Sequence, residues 1–309
     1  MTWKPYFDPI TDTLNQIILG KEEVIQEILL SFLCEGHVLL KDLPGVGKTT
    51  LALAFSKVMG LDFKRIQFTP DIMPTDLTGF SVWDRQSKKF IYQPGIVFCN
   101  ILLADEINRT SPKTQSSLLE VMEEGKVTVD GISREVPRPF FVIATQNPNQ
   151  AIGTQELPEA QIDRFMIECS LGYPDFQDEL RLAQAMDSKQ KIKRLHPLLE
   201  AHVLDKAKQE IASVYVKDIL YEYIVRLVQQ TRNDSMIQVG ASPRATLALV
   251  KLAKASSWYA GRDYVLPEDI RKQFPYVMRH RILLSSKAYA QKLTKEEVLQ
   301  NILKTVKVK

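Results

Sequence analysis

The run Lys41-Asp42-Leu43-Pro44-Gly45-Val46-Gly47-Lys48-Thr49-Thr50 carries the residue types of a phosphate-binding loop. The pattern for such a loop is G-x-x-x-x-G-K-[ST]. Its backbone N–H groups converge on an anion at a helix N-terminus, its lysine reaches the β- and γ-phosphates, and its hydroxyl serves a magnesium ion. Gly45 and Gly47 stand where the backbone must approach phosphate, and Pro44, Val46 and Thr50 complete the cradle around Lys48 and Thr49. Asp42 replaces the first glycine. Aspartate tolerates unusual backbone angles better than most residues, so the departure is expected to leave the loop competent. A chance glycine-rich turn is the competing reading. It is weakened by the strand-like Val38-Leu39-Leu40 before the loop and the helical Thr50 to Phe55 after it.

A second run, Ile101-Leu102-Leu103-Ala104-Asp105-Glu106, reads as a buried strand that delivers two carboxylates to its exposed end. Asp105, with Thr49, would hold the magnesium shell, and Glu106 would polarise an attacking water. Phosphoryl transfer asks a protein mainly for positioning and electrostatic stabilisation, so these few groups suffice. An acidic pair at a strand end means little alone; downstream of a glycine-rich loop it means much more.

The elements that must position these groups follow from the hydrophobic pattern. Val38 to Leu40, Ile101 to Ala104 and Phe140 to Ala144 are unbroken apolar runs, as expected of strands covered on both faces in a parallel sheet flanked by helices. Beyond Gly172-Tyr173-Pro174 the pattern turns helical. Asp218 to Val228 and Ala245 to Tyr259 have apolar residues at helical spacing, and Pro267-Glu268-Asp269-Ile270 opens another helix. The charged stretch Asp187 to Arg194 reads as a linker. The expected organisation is an α/β domain over 1–190 and an all-helical domain over 191–309. Ser111-Pro112 opens a helix whose apolar face is Leu118, Leu119 and Met122 and whose end is Gly125. Lys126 to Ser133 alternates around Asp130-Gly131, a hairpin signal.

Composition narrows the classes. With 45% hydrophobic and 25% charged residues the chain reads as a globular protein, and a net charge of +3 gives no general pull toward nucleic acid or membrane. Cys34, Cys99 and Cys169 lie apart in apolar settings and read as reduced core residues, which points to the cytoplasm. His37, His196, His202 and His280 lack metal-ligand spacing. There is no signal region and no run near the roughly 20 residues a bilayer span needs.

Taken together, Gly45 to Thr49 and Asp105-Glu106-Ile107-Asn108-Arg109 resemble the AAA+ ATPase superfamily, and more narrowly its MoxR family. The narrower likeness rests on Phe68-Thr69-Pro70-Asp71, Pro74 to Gly79, Ala144 to Pro148, Leu157 to Phe165, Gly240 to Ala245, Gly261 to Val265 and His280-Arg281. The resemblance implies a P-loop AAA+ core with a helical lid that hydrolyses ATP with Mg²⁺. It implies that Asn147 is the sensor 1 residue; a turn-stabilising asparagine is the alternative. It implies that Arg164 is a finger reaching a neighbouring subunit's nucleotide, an effect worth about 10³ to 10⁵ in rate. The alternative for Arg164 is an ion pair with Glu159 or Asp163. Arg244, behind the Ser242-Pro243 helix opening, corresponds to sensor 2, acting on its own or a neighbour's nucleotide; the alternative is a solvated arginine. Gly20 and Lys21 match the segment near the adenine, with Ile18 offered to the base. Arg109 is placed to couple subunits.

The same likeness implies a homo-oligomeric ring, a hexamer by family expectation. It implies a chaperone-like action on a client protein, with a von Willebrand factor A domain protein as partner. Two other readings stay open: a nucleotide-gated switch with little turnover, and a nucleic-acid motor. The motor is disfavoured by the mild charge and the absence of a basic stripe; Lys304, Lys307 and Lys309 make only a short basic tail.

Overall fold

A computed structural model describes residues 4–147, 157–184 and 188–308. The chain begins with helices α1 (Asp8–Asn15) and α2 (Glu22–Leu33), then strand β1 (Val38–Lys41) and helix α3 (Lys48–Met59). Strand β2 (Phe63–Gln67) and the short α4 (Pro74–Thr78) lead into a hairpin, β3 (Gly79–Asp84) and β4 (Lys89–Pro94). Next come β5 (Ile101–Asp105), α5 (Pro112–Glu124), a second hairpin of β6 (Lys126–Val129) and β7 (Ile132–Glu135), and β8 (Phe141–Gln146). The short α6 (Glu159–Ile162) precedes β9 (Ile167–Cys169).

Five strands form one parallel sheet in the order β2-β5-β8-β1-β9. Every residue of β5 and β8 is buried, as their apolar runs require of a sheet covered on both faces, and so is every residue of β9, Glu168 included. The two faces take alternate residues. Val38, Leu40, Ile101, Leu103, Phe141 and Ile143 face one core with α2 and α3; there the Phe32 ring packs edge-on against Phe55 and Phe141. Leu39, Leu102, Ala104, Val142 and Ala144 face the other, with Leu118, Leu119 and Met122 of α5. At about 1.5 to 3 kcal/mol for each large apolar side chain buried, these contacts dominate the fold.

The local signals behave as their chemistry dictates. Ser111 caps α5 by accepting from the Thr114 N–H, and Gly125 ends it at φ 65°. Asp130 and Gly131, both at positive φ, make the hairpin turn. Two strands, β2 and β9, and the whole β3–β4 hairpin lack a legible pattern in the sequence. Phe80, Val82, Trp83, Phe90 and Ile91 of that hairpin are exposed.

The second half contains α7 (Phe176–Gln184), α8 (Ser188–Lys193), α9 (Ala201–Ser213) and α10 (Asp218–Asn233). After them come β10 (Ile237–Val239), α11 (Pro243–Tyr259), α12 (Pro267–Met278), β11 (Leu283–Leu284), α13 (Ser286–Ala290) and α14 (Lys295–Thr305). It is helical except for the two-stranded β10–β11 ribbon. The stretch expected as a linker is instead helix α8 over most of its length; its Ile192 is buried, and Asp187 lies outside the described residues. One apolar cluster runs from α2 and α3 through α9, α11 and α12 to α14, so the lid helices share the core of the sheet's first face. The three cysteines are unpaired and buried. Among the described residues no helix is long and apolar enough to cross a membrane.

His37, just before β1, fixes the amino end of the sheet. Its Nδ1 accepts the Val142 N–H, its Nε2 lies 3.0 Å from the Met122 carbonyl oxygen, and its own carbonyl accepts the Met166 N–H. The Nε2–H neutral tautomer satisfies both ring nitrogens. Complete burial pushes the His37 pKa down to about 4. The folded protein therefore resists a proton that the unfolded chain takes up near 6.5. Stability from this residue is full above pH 6.5 and is lost as pH falls toward 4, on the order of 3 kcal/mol in all. Urea titrations across pH 4 to 7 should show that slope in the wild-type chain and a shallower one in His37→Gln.

Candidate nucleotide site

Because the sheet is parallel, β1, β5 and β8 all deliver their carboxyl ends to one edge. The glycine-rich loop leaves β1 there and turns into α3. Gly45 and Gly47 have φ of 88° and 97°, angles that a side chain would strain. A Cβ at either would meet nothing within 4 Å, so the space over the loop is open. Gly47 is the N-cap of α3 and offers no side-chain cap, which leaves the first N–H groups of the helix available to an anion. Lys48 Nζ donates to the carbonyl oxygens of Asp42 and Leu43, arching back across its own loop. Pro44, Val46, Thr49 and Thr50 follow in the same loop and first helical turn.

Asp42 does more than tolerate its position, and the expected reason was wrong. Its φ is not positive. Its buried carboxylate accepts from the Ser170 Oγ at 2.6 Å, the Leu171 N–H at 2.7 Å and the Gly172 N–H at 3.0 Å. A glycine could not tie the loop to the chain after β9. Through that tie Gly20 and Lys21 come alongside: Tyr173 O, next in sequence, accepts from Lys21 Nζ at 2.8 Å. Gly20 has φ 67°, and a Cβ there would lie 2.0 Å from Asp178 Oδ2. These residues line an open recess of about 580 Å³ with Pro174 and Arg181. Ile18 is buried in the core and is not offered to a base.

The acids end the strand as its pattern implies, but the end is not exposed. Asp105 ends β5 and is buried; Glu106 follows in a left-handed turn at φ 56°. Thr145 of β8 stands between them, donating to Asp105 Oδ1 at 2.6 Å and accepting the Glu106 N–H at 2.8 Å. Arg65 of β2 donates to Asp105 Oδ2 at 2.7 Å. Arg109 holds Glu106 Oε2 at 2.8 Å. Asn147 follows the end of β8 on the same edge. Arg65 carried no motif in the sequence, and Thr145 lay in the Ala144 to Pro148 run with no role of its own; only strand register brings the two to Asp105. Each carboxylate oxygen of Asp105 keeps a second acceptor position.

Arg164 and Arg244 lie elsewhere. Arg164 precedes β9 and so stands at the amino edge of the sheet, the opposite edge from the loop. Arg244, in the first turn of α11, stands beside it. Both reach Glu123 of α5: Arg164 Nε is 3.2 Å from Glu123 Oε2, and Arg244 Nη2 donates to Glu123 Oε1. The Arg164 partner is therefore Glu123 rather than Glu159 or Asp163, and Arg244 is an exposed arginine that also pairs with Glu123. Asp163 is instead held by Arg281 Nε at 2.7 Å and by the Ser242 Oγ at 2.7 Å. Arg281 is almost wholly buried and also donates to the carbonyls of Met166 and Phe165. Burial pulls its pKa down, and Asp163 opposes that shift.

The chain matches two family profiles: "ATPase family associated with various cellular activities (AAA)" over residues 37–167, and "AAA lid domain" over residues 229–302. The fold and its lid are those of an AAA+ ATPase. The Mycobacterium tuberculosis protein named Chaperone MoxR1 is 39% identical over 95% of this chain and 80% of its own. An uncharacterized Bacillus subtilis protein, YeaC, is 44% identical over 98% of this chain and 95% of its own. A crystal structure from Cytophaga hutchinsonii superposes with TM-score 0.90 at 35% identity, covering 99% of this chain and 96% of that one. The chain belongs to the MoxR family of AAA+ ATPases.

Restoring the glycine of the usual loop pattern is expected to harm this protein. Asp42→Gly leaves three donors without their carboxylate acceptor. At about 1.5 to 3 kcal/mol for a hydrogen bond to a charged group, the loss should be about 3 kcal/mol or more by urea titration. A neutral or stabilising result would show that Asp42 is there only for its backbone.

Proposed function

We propose that this protein hydrolyses ATP with Mg²⁺ as an oligomeric ring and uses the cycle to remodel a client protein. The observation that carries the reading is the split of the charged groups between the two edges of one parallel sheet. The loop, Lys48, Asp105 and Glu106 form one half of a phosphoryl-transfer site, and Arg164 with Arg244 form the other half, out of reach in the same chain.

The residues present suit the substrate. Positive φ at Gly45 and Gly47, open space above them and an uncapped α3 terminus make an anion cradle. Lys48 exchanges its loop carbonyls for phosphate oxygens. Thr49 and Asp105 would hold Mg²⁺, which when bound screens phosphate charge. Thr145 and Arg65 keep the Asp105 carboxylate oriented, and Thr145 fixes the backbone from which Glu106 projects. Glu106 takes a proton from the attacking water, and Asn147 orients that water. Arg164 and Arg244 of an adjacent copy bring cations to the charge that develops on the γ-phosphate. In this reading Arg244 acts on the neighbour's nucleotide, because it shares the amino edge with Arg164.

The chaperone reading rests on the name of the Mycobacterium tuberculosis relative and on the exposed apolar β3–β4 hairpin, which offers surface of the kind a client chain would touch. A partner bearing a von Willebrand factor A domain is part of the same proposal. One observation favours a second reading, a slow switch: one oxygen of the Glu106 carboxylate is engaged by Arg109.

Lys48→Ala should abolish ATP binding in calorimetry. Glu106→Gln should bind ATP normally and lose hydrolysis by about 10² or more, the lower range for losing a general base. Arg164→Ala should keep binding and lose turnover, and a rate that does not depend on protein concentration in the wild type would sink the shared-site reading. Single-turnover hydrolysis at wild-type Glu106 that stays slow in assembled protein would favour the switch.

A further inference from the structure

The two arginines converge on one acid that no motif identifies. Glu123, one residue before the end of α5, presents one carboxylate oxygen to Arg164 and the other to Arg244. The wall around them encloses about 220 Å³ and includes His37, Asp163 and Arg281. Its other acids are already matched. Asp163 is taken by Arg281 and Ser242, and Glu35 by Lys208 at 2.8 Å. Lys251, also on the wall, adds positive charge, and His37 is neutral. Among the described residues Glu123 is therefore the anion left for two guanidinium groups.

The backbone frame and the side-chain aim have separate causes. Ser242 caps α11 and donates to Asp163; Arg281 grips residues 163, 165 and 166. These bonds fix where Arg164 and Arg244 start, and they say nothing about where the guanidiniums end. Two like charges so placed would splay apart in the absence of a shared counter-charge. Arg164 Nε is buried and makes no aligned hydrogen bond among the described residues, so its contact to Glu123 is an ion pair that directs it without locking it.

We propose that Glu123 is a positioning residue: it gathers Arg164 and Arg244 on one carboxylate and so presents them as a pair to the phosphates bound by an adjacent copy. A guanidinium has five N–H donors, so each keeps most of them for phosphate. The pair retains a net positive charge after Glu123 is counted. This proposal rests on the shared-site reading above.

The test uses full-length protein and mixed assemblies. Glu123→Gln removes the charge and keeps the shape. It should leave the ATP dissociation constant of the unassembled protein at its wild-type value, because the phosphate loop lies at the other edge of the sheet, and the melting temperature near its wild-type value, because the Glu123 ion pairs are partly exposed. It should lower kcat in assembled protein by about ten- to a hundredfold, the scale of a misplaced group, and Glu123→Asp should recover part of it. Adding it to Arg164→Ala should cause no further loss. Mixing Glu123→Gln with Glu106→Gln subunits should restore turnover, since the second variant lends well-held arginines to the intact site of the first. An unchanged kcat, or a mixture that stays inactive while Arg164→Ala plus Glu106→Gln regains activity, overturns the role of Glu123 alone. Failure of both mixtures overturns the shared site and this proposal with it.

Discussion

All five strands of the central sheet run in one direction, and most of what distinguishes this protein depends on that. A parallel sheet buried on both faces has loops only at its two edges. Everything that leaves β1, β5 and β8 is gathered at the carboxyl edge: the glycine loop, the acid pair and Asn147. Everything that enters β1, β8 and β9 is gathered at the amino edge: His37, Arg164 and, through Ser242, Arg244. An antiparallel arrangement would have interleaved these groups. The parallel one keeps them a sheet's length apart, which is why the proposed chemistry requires two copies.

Buried polar groups hold the two edges in shape. At the carboxyl edge a single carboxylate, Asp42, binds three donors from the chain after β9 and thereby brings Lys21 and Gly20 beside the loop. At the amino edge Arg281 is buried against the partly exposed Asp163, and removal of Asp163 would leave the buried guanidinium without its counter-charge, at a cost of about 3 to 5 kcal/mol. Such pairs add less net stability than well-packed apolar side chains of the same size. Arg281, from beyond α12, bonds to Asp163, Phe165 and Met166 just before β9, and so ties the lid to the sheet. The apolar core that α2 and α3 share with α9, α11, α12 and α14 supplies the bulk of the attraction.

Much was legible before any coordinates. The apolar runs at Val38, Ile101 and Phe141 are strands, the capped helices at Ser111, Ser242 and Pro267 begin where their capping chemistry puts them, and Asp130-Gly131 turns a hairpin. Less was legible where burial is one-sided or late. In β2 only Ile66 is buried, and β9 is three residues long, so neither shows a pattern strong enough to read. The charged stretch near residue 190 looks like a tether because its lysines dominate, yet it includes buried Ile192 and forms α8.

By itself, then, the sequence determined the family, the α/β core with its helical lid, and the chemistry available at the loop and the acid pair. These follow from residue types at short spacing, and short spacing is local geometry. Tertiary structure alone decided that Asp42 is a three-donor acceptor, that Thr145 and Arg65 serve Asp105, that Ile18 belongs to the core, and that Glu123 joins Arg164 to Arg244. Those partners lie from 40 to 130 positions apart in most cases. Only strand order and helix packing bring them within hydrogen-bonding distance, and no local pattern encodes a contact whose two halves are chosen by the fold.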